Sequence, residues 1–108
     1  TIELAKKVSQ FGTVSGKEVN KFEAFGLTAK KGKVVTAPII EECVAHLECK
    51  LVDAVRTGDH TLFVGEVVAA YVEAELFRNQ RMDPSKFKGL YQIGGTTYTT
   101  LSGEIIRG

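Results

Sequence analysis

Two β-rich runs face each other across the short polar segment Thr57-Gly58-Asp59, and this pattern restricts the chain more than any other. The first run extends from about Ile40 to Val55 and the second from Thr61 to Glu73. Both are rich in β-branched residues, and the segment between them carries turn chemistry. The expectation is a long antiparallel hairpin. Side chains alternate across a strand, so Cys43, Ala45, Leu47, Cys49 and Leu51 share one face and Glu42, Val44, His46, Glu48 and Lys50 the other. On that reading Cys43 and Cys49 are core thiols, whereas His46 lies on a charged, exposed face. Six residues along one strand place the two Cys Cα atoms about 20 Å apart, far beyond the roughly 7 Å reach of a disulfide.

The flanks read as follows. Thr1 caps a helix that carries Ile2, Ala5 and Val8 on one stripe, and "QFGTVSG" breaks it. Ser15 and Glu18 have the spacing of a capping box. They precede a second helix with Val19, Phe22 and Phe25 on its apolar stripe, which stops at Gly26. Lys33 to Thr36 is β-branched and reads as a strand ended by Pro38. Further along, Asp83 and Pro84 mark a helical turn, and "YQIGGTTYTTLSGEII" reads as two short strands about a Gly-Gly turn.

Composition excludes several functions. A chain of 108 residues suits one domain and should bury roughly 65% of its unfolded surface. Its net charge of +1 gives no electrostatic case for nucleic acid. No apolar run approaches the roughly 20 residues of a bilayer-spanning helix. Two cysteines and no signal-peptide pattern point to the reducing cytoplasm. Neither cysteines nor histidines have zinc-ligand spacing, so no metal site is expected. "GLTAKKGK" is not a phosphate loop, because Gly26 and Gly32 are one residue too far apart and no Ser or Thr follows Lys33. G-x-G-x-x-G is absent, as is any locally paired nucleophile and histidine.

Four blocks carry a resemblance. "GTVSGKEVNKFEAFGL" (Gly12 to Leu27), "APIIEECVAHLECKL" (Ala37 to Leu51), "GDHTLFVGEVVAAYVE" (Gly58 to Glu73) and "YQIGGTTYTTLSGE" (Tyr91 to Glu104) resemble, in order, the flavin reductase-like, FMN-binding split-barrel family. Members of that family open with further β-strands, so this chain, which begins at Thr1 without a methionine, resembles the C-terminal portion. The resemblance implies a mainly β fold, an antiparallel split β-barrel with short peripheral helices, and a barrel that lacks its N-terminal strands. One position departs from the family pattern: its S-G-x-x-x-D-K-F block carries Asn20 where an acid is usual.

The same resemblance implies an FMN-binding oxidoreductase, a homodimer that takes electrons from NADH or NADPH and passes them to a small-molecule or protein acceptor. It places Asp59 and His60 at the rim of the flavin and nicotinamide site, with His60 as the residue nearest the chemistry. A histidine whose ordinary pKa is near ~6.5 can respond to charge on a reduced ring. Equally, His60 can simply open a strand and meet solvent. Lys21 can set positive charge near the flavin phosphate or the N1/C2 carbonyl region, or be a solvated lysine. Phe22 reads as core or as a flavin contact. Ser15 caps a helix or touches the cofactor, and Tyr98 packs in a strand or against the ring. Two further readings stay open: an FMN-binding electron carrier without NAD(P)H activity, and a non-catalytic β-domain used for assembly.

Overall fold

A computed structural model describes all 108 residues. The fold is mainly β with short helices. A 3₁₀ turn at Ile2–Leu4 leads into α1 (Ala5–Phe11) and is followed by α2 (Lys21–Phe25). Eight strands follow: β1 (Ala29–Lys31), β2 (Pro38–Ile40), β3 (Ala45–Thr57), β4 (His60–Val72), β5 (Phe77–Arg78), β6 (Arg81–Met82), β7 (Tyr91–Gly94) and β8 (Thr97–Thr99). They pair in sequence order as four separate two-stranded antiparallel sheets.

The long hairpin forms as its sequence dictates, with Thr57 opposite His60 and a two-residue loop, Gly58-Asp59. Gly58 has φ 60°, at the first loop position, where a hairpin turn of primed type takes glycine. Register slips between Glu48 and Cys49 and between Leu51 and Asp53. Such bulges bend a strand and re-aim the side chains beyond them. β3 begins at Ala45, later than expected, because Ile40 belongs to β2.

Several expectations are corrected. The second helix is capped by Asn20, whose Oδ1 accepts from Phe22 N at 3.1 Å. Ser15 instead closes the preceding turn: its carbonyl accepts from Glu18 N and Val19 N, and its hydroxyl from Lys17 N. Both residues suit an N-cap, and α2 takes the one immediately before its first turn. The helix does end at Gly26, in the left-handed conformation, with Leu27 N donating to Phe22 O. Val34, Val35 and Thr36 form a bent loop and not a strand, since the amides of Val34 and Val35 turn inward to a carboxylate described below, and Pro38 opens β2 where it was expected to end a strand. The β5–β6 hairpin was not expected at all, as two residues per strand are too few for periodicity to register. The turn at Asp83 and the β7–β8 pair form as expected.

The largest correction concerns the core. Only Glu48, Leu76 and Gly89 are buried. The accessible surface is 8336 Å², against about 5,900 Å² for a compact chain of this mass. The radius of gyration is 15.9 Å, where about 13 Å is typical of this length. The hairpin carries much exposed apolar surface. Leu47 is 69% exposed and Phe63 68%. The consecutive residues Leu62, Phe63 and Val64 are all exposed, so apolar side chains project from both faces. The cysteines follow suit: Cys43 is half-buried and Cys49 exposed, so neither is a core thiol, and both are free. A two-stranded ribbon with two bare apolar faces is half of a packing arrangement.

Candidate functional site

The expected site residues fall in three places. Asp59 and His60 stand together at the hairpin tip, where Asp59 Oδ1 lies 2.7 Å from His60 Nδ1. Their side chains are 93% and 83% exposed. The carboxylate orients the ring with Nδ1–H as donor and leaves Nε2 free.

Lys21 and Phe22 sit at the start of α2, packed on the end of α1. Lys21 Nζ donates to the carbonyl of Phe11, the last residue of α1, at 2.7 Å, and lies 5.8 Å from the Phe11 ring centroid. A cation belongs at such a carbonyl terminus. Phe22 meets Phe11 edge-on at 6.5 Å, and Phe25 joins at 5.3 Å from Phe11, giving a small aromatic cluster. Beside it, Phe11, Val19, Asn20, Lys21 and Phe22 line an open recess of about 580 Å³. Lys21 has two N–H groups beyond the one it spends on Phe11. An aromatic edge beside an ammonium suits an aromatic ligand that carries negative charge, so these residues fit a flavin phosphate. Ser15 is exposed beside them.

Tyr98, on β8, is half-buried. It lines a second recess, of about 380 Å³, with Val8, Ser9, Gly12 and Thr13 of α1 and its end. Helix α1 thus touches the Lys21–Phe22 recess through Phe11 and the Tyr98 recess through Val8 and Ser9. The hairpin tip shares neither lining.

The polar cluster with the most hydrogen bonds on one side chain was missed from sequence. Glu48, expected on a charged outer face, is 2% exposed. Its Oε1 accepts from Val34 N at 2.8 Å and Val35 N at 2.9 Å; its Oε2 accepts from Lys33 N at 2.8 Å and Tyr71 Oη at 2.8 Å. The amides of Val35 and Val34 and then of Lys33, with the Tyr71 hydroxyl, hold its pKa down to about 2 despite burial. Burial and the neighbouring carboxylate raise that of Tyr71. Lys33 Nζ lies 4.2 Å from the Tyr71 ring centroid, and His46 stacks on the same ring at 5.2 Å. His46 Nε2 also donates to Ile40 O at 2.9 Å, so the residue is half-buried and not exposed as expected. Gly32 was the one available signal, since a Cβ there would stand 2.7 Å from Glu48 Oε1. Strand alternation could not reveal that the charged face of β3 is covered by the β1–β2 loop.

Four sequential hairpins with short helices, and a long ribbon exposed over its outer half, define an open, mainly β scaffold. The chain belongs to the family described as flavin reductase like domain, which matches residues 3–95. It is 42% identical over 104 residues to an uncharacterized protein of Archaeoglobus fulgidus, covering 96% of this chain and 58% of that protein. A ferric-chelate reductase (NAD(P)H) of the same organism is 38% identical over 65 residues, covering 60% of this chain and 37% of that protein. Among solved structures, the FMN-binding protein from Thermus thermophilus with bound p-hydroxybenzaldehyde is similar with a TM-score of 0.80 and 31% identity, covering 98% of this chain and 56% of that one. The chain therefore spans little more than half the length of the uncharacterized relative and of the FMN-binding protein. No helix is long and apolar enough to cross a membrane.

Proposed function

We propose that the chain is part of an FMN-dependent NAD(P)H oxidoreductase of the flavin or ferric reductase type, built as a split barrel and working as a cytoplasmic homodimer. The observation that carries this reading is family membership over residues 3–95, which includes both the Asp59–His60 tip and the Lys21–Phe22 helix. The two bare faces of β3–β4 support completion of the barrel by strands outside these residues and by a second copy. The free thiols of Cys43 and Cys49 support a reducing compartment. The FMN-binding and ferric-chelate reductase relatives support the cofactor and the acceptor class.

When bound, FMN would supply the hydride-accepting and electron-donating chemistry. The chain's own residues bind and orient. Lys21 offers positive charge to the flavin phosphate or the N1/C2 region, and Phe22 and Tyr98 offer ring surface. Ser15 offers a hydroxyl from the turn before α2. Asp59 holds the His60 ring, which positions the nicotinamide and answers developing charge. No proton needs to be removed for hydride transfer, so His60 acts by position and charge and not as a general base.

The test uses the full-length protein, purified from its native sequence. A flavin absorbance spectrum, saturable FMN binding and anaerobic bleaching on mixing with NADH or NADPH are expected in stopped flow. A protein that stays colourless and takes up no FMN overturns the reading. Bound FMN that neither pyridine nucleotide reduces leaves an electron carrier and rejects the reductase.

A further inference from the structure

The β5–β6 hairpin sets Arg78 directly opposite Arg81. Like charges in opposed cross-strand positions destabilise a ladder, and this ladder has only two residue pairs with which to resist. The turn adds strain. Asn79 (φ 51°) and Gln80 (φ 60°) are both left-handed, and they are the only residues other than glycine in that region; asparagine tolerates it, whereas glutamine has no such preference. No carboxylate lies within ion-pair distance of either arginine, since the ion pairs of this chain are Lys30–Glu41 and Asp59–His60, and Asp83 acts on Arg78 only at longer range. Arg78 and Arg81 line a cavity of about 200 Å³ with Asn79, Asp83, Pro84 and Ile105. Asp83 is engaged elsewhere: its Oδ1 accepts from Ser85 N at 3.0 Å and Ser85 Oγ at 2.6 Å.

We propose that Arg78 and Arg81 form a binding site for a phosphomonoester group. Two guanidinium forks present planar pairs of donors that match phosphate oxygens. A dianion between them turns a cross-strand repulsion into two attractions, with the Asn79 amide as a further donor. The lining carries two positive charges against the single negative charge of Asp83, so it remains attractive to an anion. The cavity is large enough for a phosphate head but not for a whole nucleotide, whose remainder extends outside. The phosphate site stands on this geometry alone. Naming its carrier rests on the flavoprotein reading, which brings two phosphomonoesters to the protein: the 5′-phosphate of FMN, in which case Lys21 serves the N1/C2 region instead, and the 2′-phosphate of NADPH.

The full-length protein and its Arg78→Ala/Arg81→Ala double variant are titrated with inorganic phosphate, with chloride at matched ionic strength as control, by NMR of the arginine side chains. Phosphate is expected to bind the parent, and the variant to lose about tenfold or more in affinity. In parallel, the FMN-to-riboflavin affinity ratio and the NADPH-to-NADH KM ratio are measured. One of the two should move toward unity in the variant, the affinity ratio by falling or the KM ratio by rising, and so identify the carrier, while melting temperatures show that the variant folds. Phosphate binding no stronger than chloride, or unchanged in the variant, overturns the proposal. A flavin-bearing protein in which neither ratio moves overturns the assignment of the site to FMN or NADPH. A colourless protein that still binds phosphate through the arginines supports the site and rejects the flavoprotein reading, so the two failures remain distinct.

Discussion

Tyr71 Oη donates a 2.8 Å hydrogen bond to Glu48 Oε2 across the base of the long hairpin, on a carboxylate that also collects three successive loop amides. β3 and β4 are thereby tied to the β1–β2 loop by an ionised group rather than by apolar packing. The first consequence is a pH dependence. The Glu48 pKa is lowered from 4.5 to about 2 on folding. The folded state therefore binds fewer protons than the unfolded state between those values, and the stability this group contributes is fully present above about pH 4.5. It declines as pH falls toward 2. Glu48→Gln removes the charge and turns an amide N–H toward amide donors. Its melting temperature at pH 7 should fall by more than about 5 °C, and its melting curve should lose part of the parent's acid sensitivity. A variant whose melting temperature equals the parent's at pH 7 contradicts this account of the clamp.

Gly32 is required by close approach and not by conformation. An alanine Cβ would stand 2.7 Å from Glu48 Oε1 and 3.0 Å from Val35 O, one of them a backbone atom. Gly32→Ala should cost about 1–3 kcal/mol through displacement of the loop, measured by urea denaturation. Hydrogen exchange at the Lys33, Val34 and Val35 amides should speed up with it. Unchanged protection at those three amides would show that the loop accommodates the methyl.

Asn20 and Ser15 compete as caps in the sequence, and they can be separated by mutation. Asn20→Ala should destabilise by about 1 kcal/mol, since it removes the acceptor for Phe22 N. Ser15→Ala should cost less in thermal denaturation, because the Ser15 carbonyl, which the mutation keeps, makes the two bonds that close the turn. A reversed order would mean that α2 starts at Ser15 in solution.

His60→Ala tests the hairpin tip. The side chain is exposed and bonds only to Asp59, so the unfolding free energy should change by less than about 0.5 kcal/mol. If His60 positions the nicotinamide, reduction of bound flavin by NAD(P)H should slow about tenfold or more in single-turnover kinetics. FMN affinity should stay near that of the parent. Loss of FMN affinity with normal hydride transfer would move His60 from the nicotinamide side to cofactor binding.

Much of the fold was legible because it is local. Alternation with a Gly-Asp loop dictates a hairpin, and a glycine in the left-handed region ends α2 at Gly26. Where two local signals competed, as at Ser15 and Asn20, the sequence offered both and the geometry of the turn chose. Lys33 to Thr36 misled for a different reason. Their β propensity is real, but three amides there satisfy Glu48, a partner 13 to 15 residues away, and a backbone donor so engaged cannot also join a ladder. The candidate site was less legible. Sequence named Ser15, Lys21, Phe22, Tyr98, Asp59 and His60 as one group, yet contacts within the chain bring together only Lys21 with Phe22 and Asp59 with His60.

The amino-acid sequence by itself determined the antiparallel hairpin, its Gly58 turn, the stop at Gly26 and the family to which the chain belongs, since each depends on backbone preferences or residue order over short spans. Only the tertiary structure decided that Glu48 is buried and ionised, that Arg78 faces Arg81, and that β3–β4 is bare on both faces over its outer half while the β1–β2 loop covers one face at its base. Those depend on which distant segment arrives to bond, oppose or cover a side chain, and a pattern of alternating residues says which way a side chain points without saying what it meets.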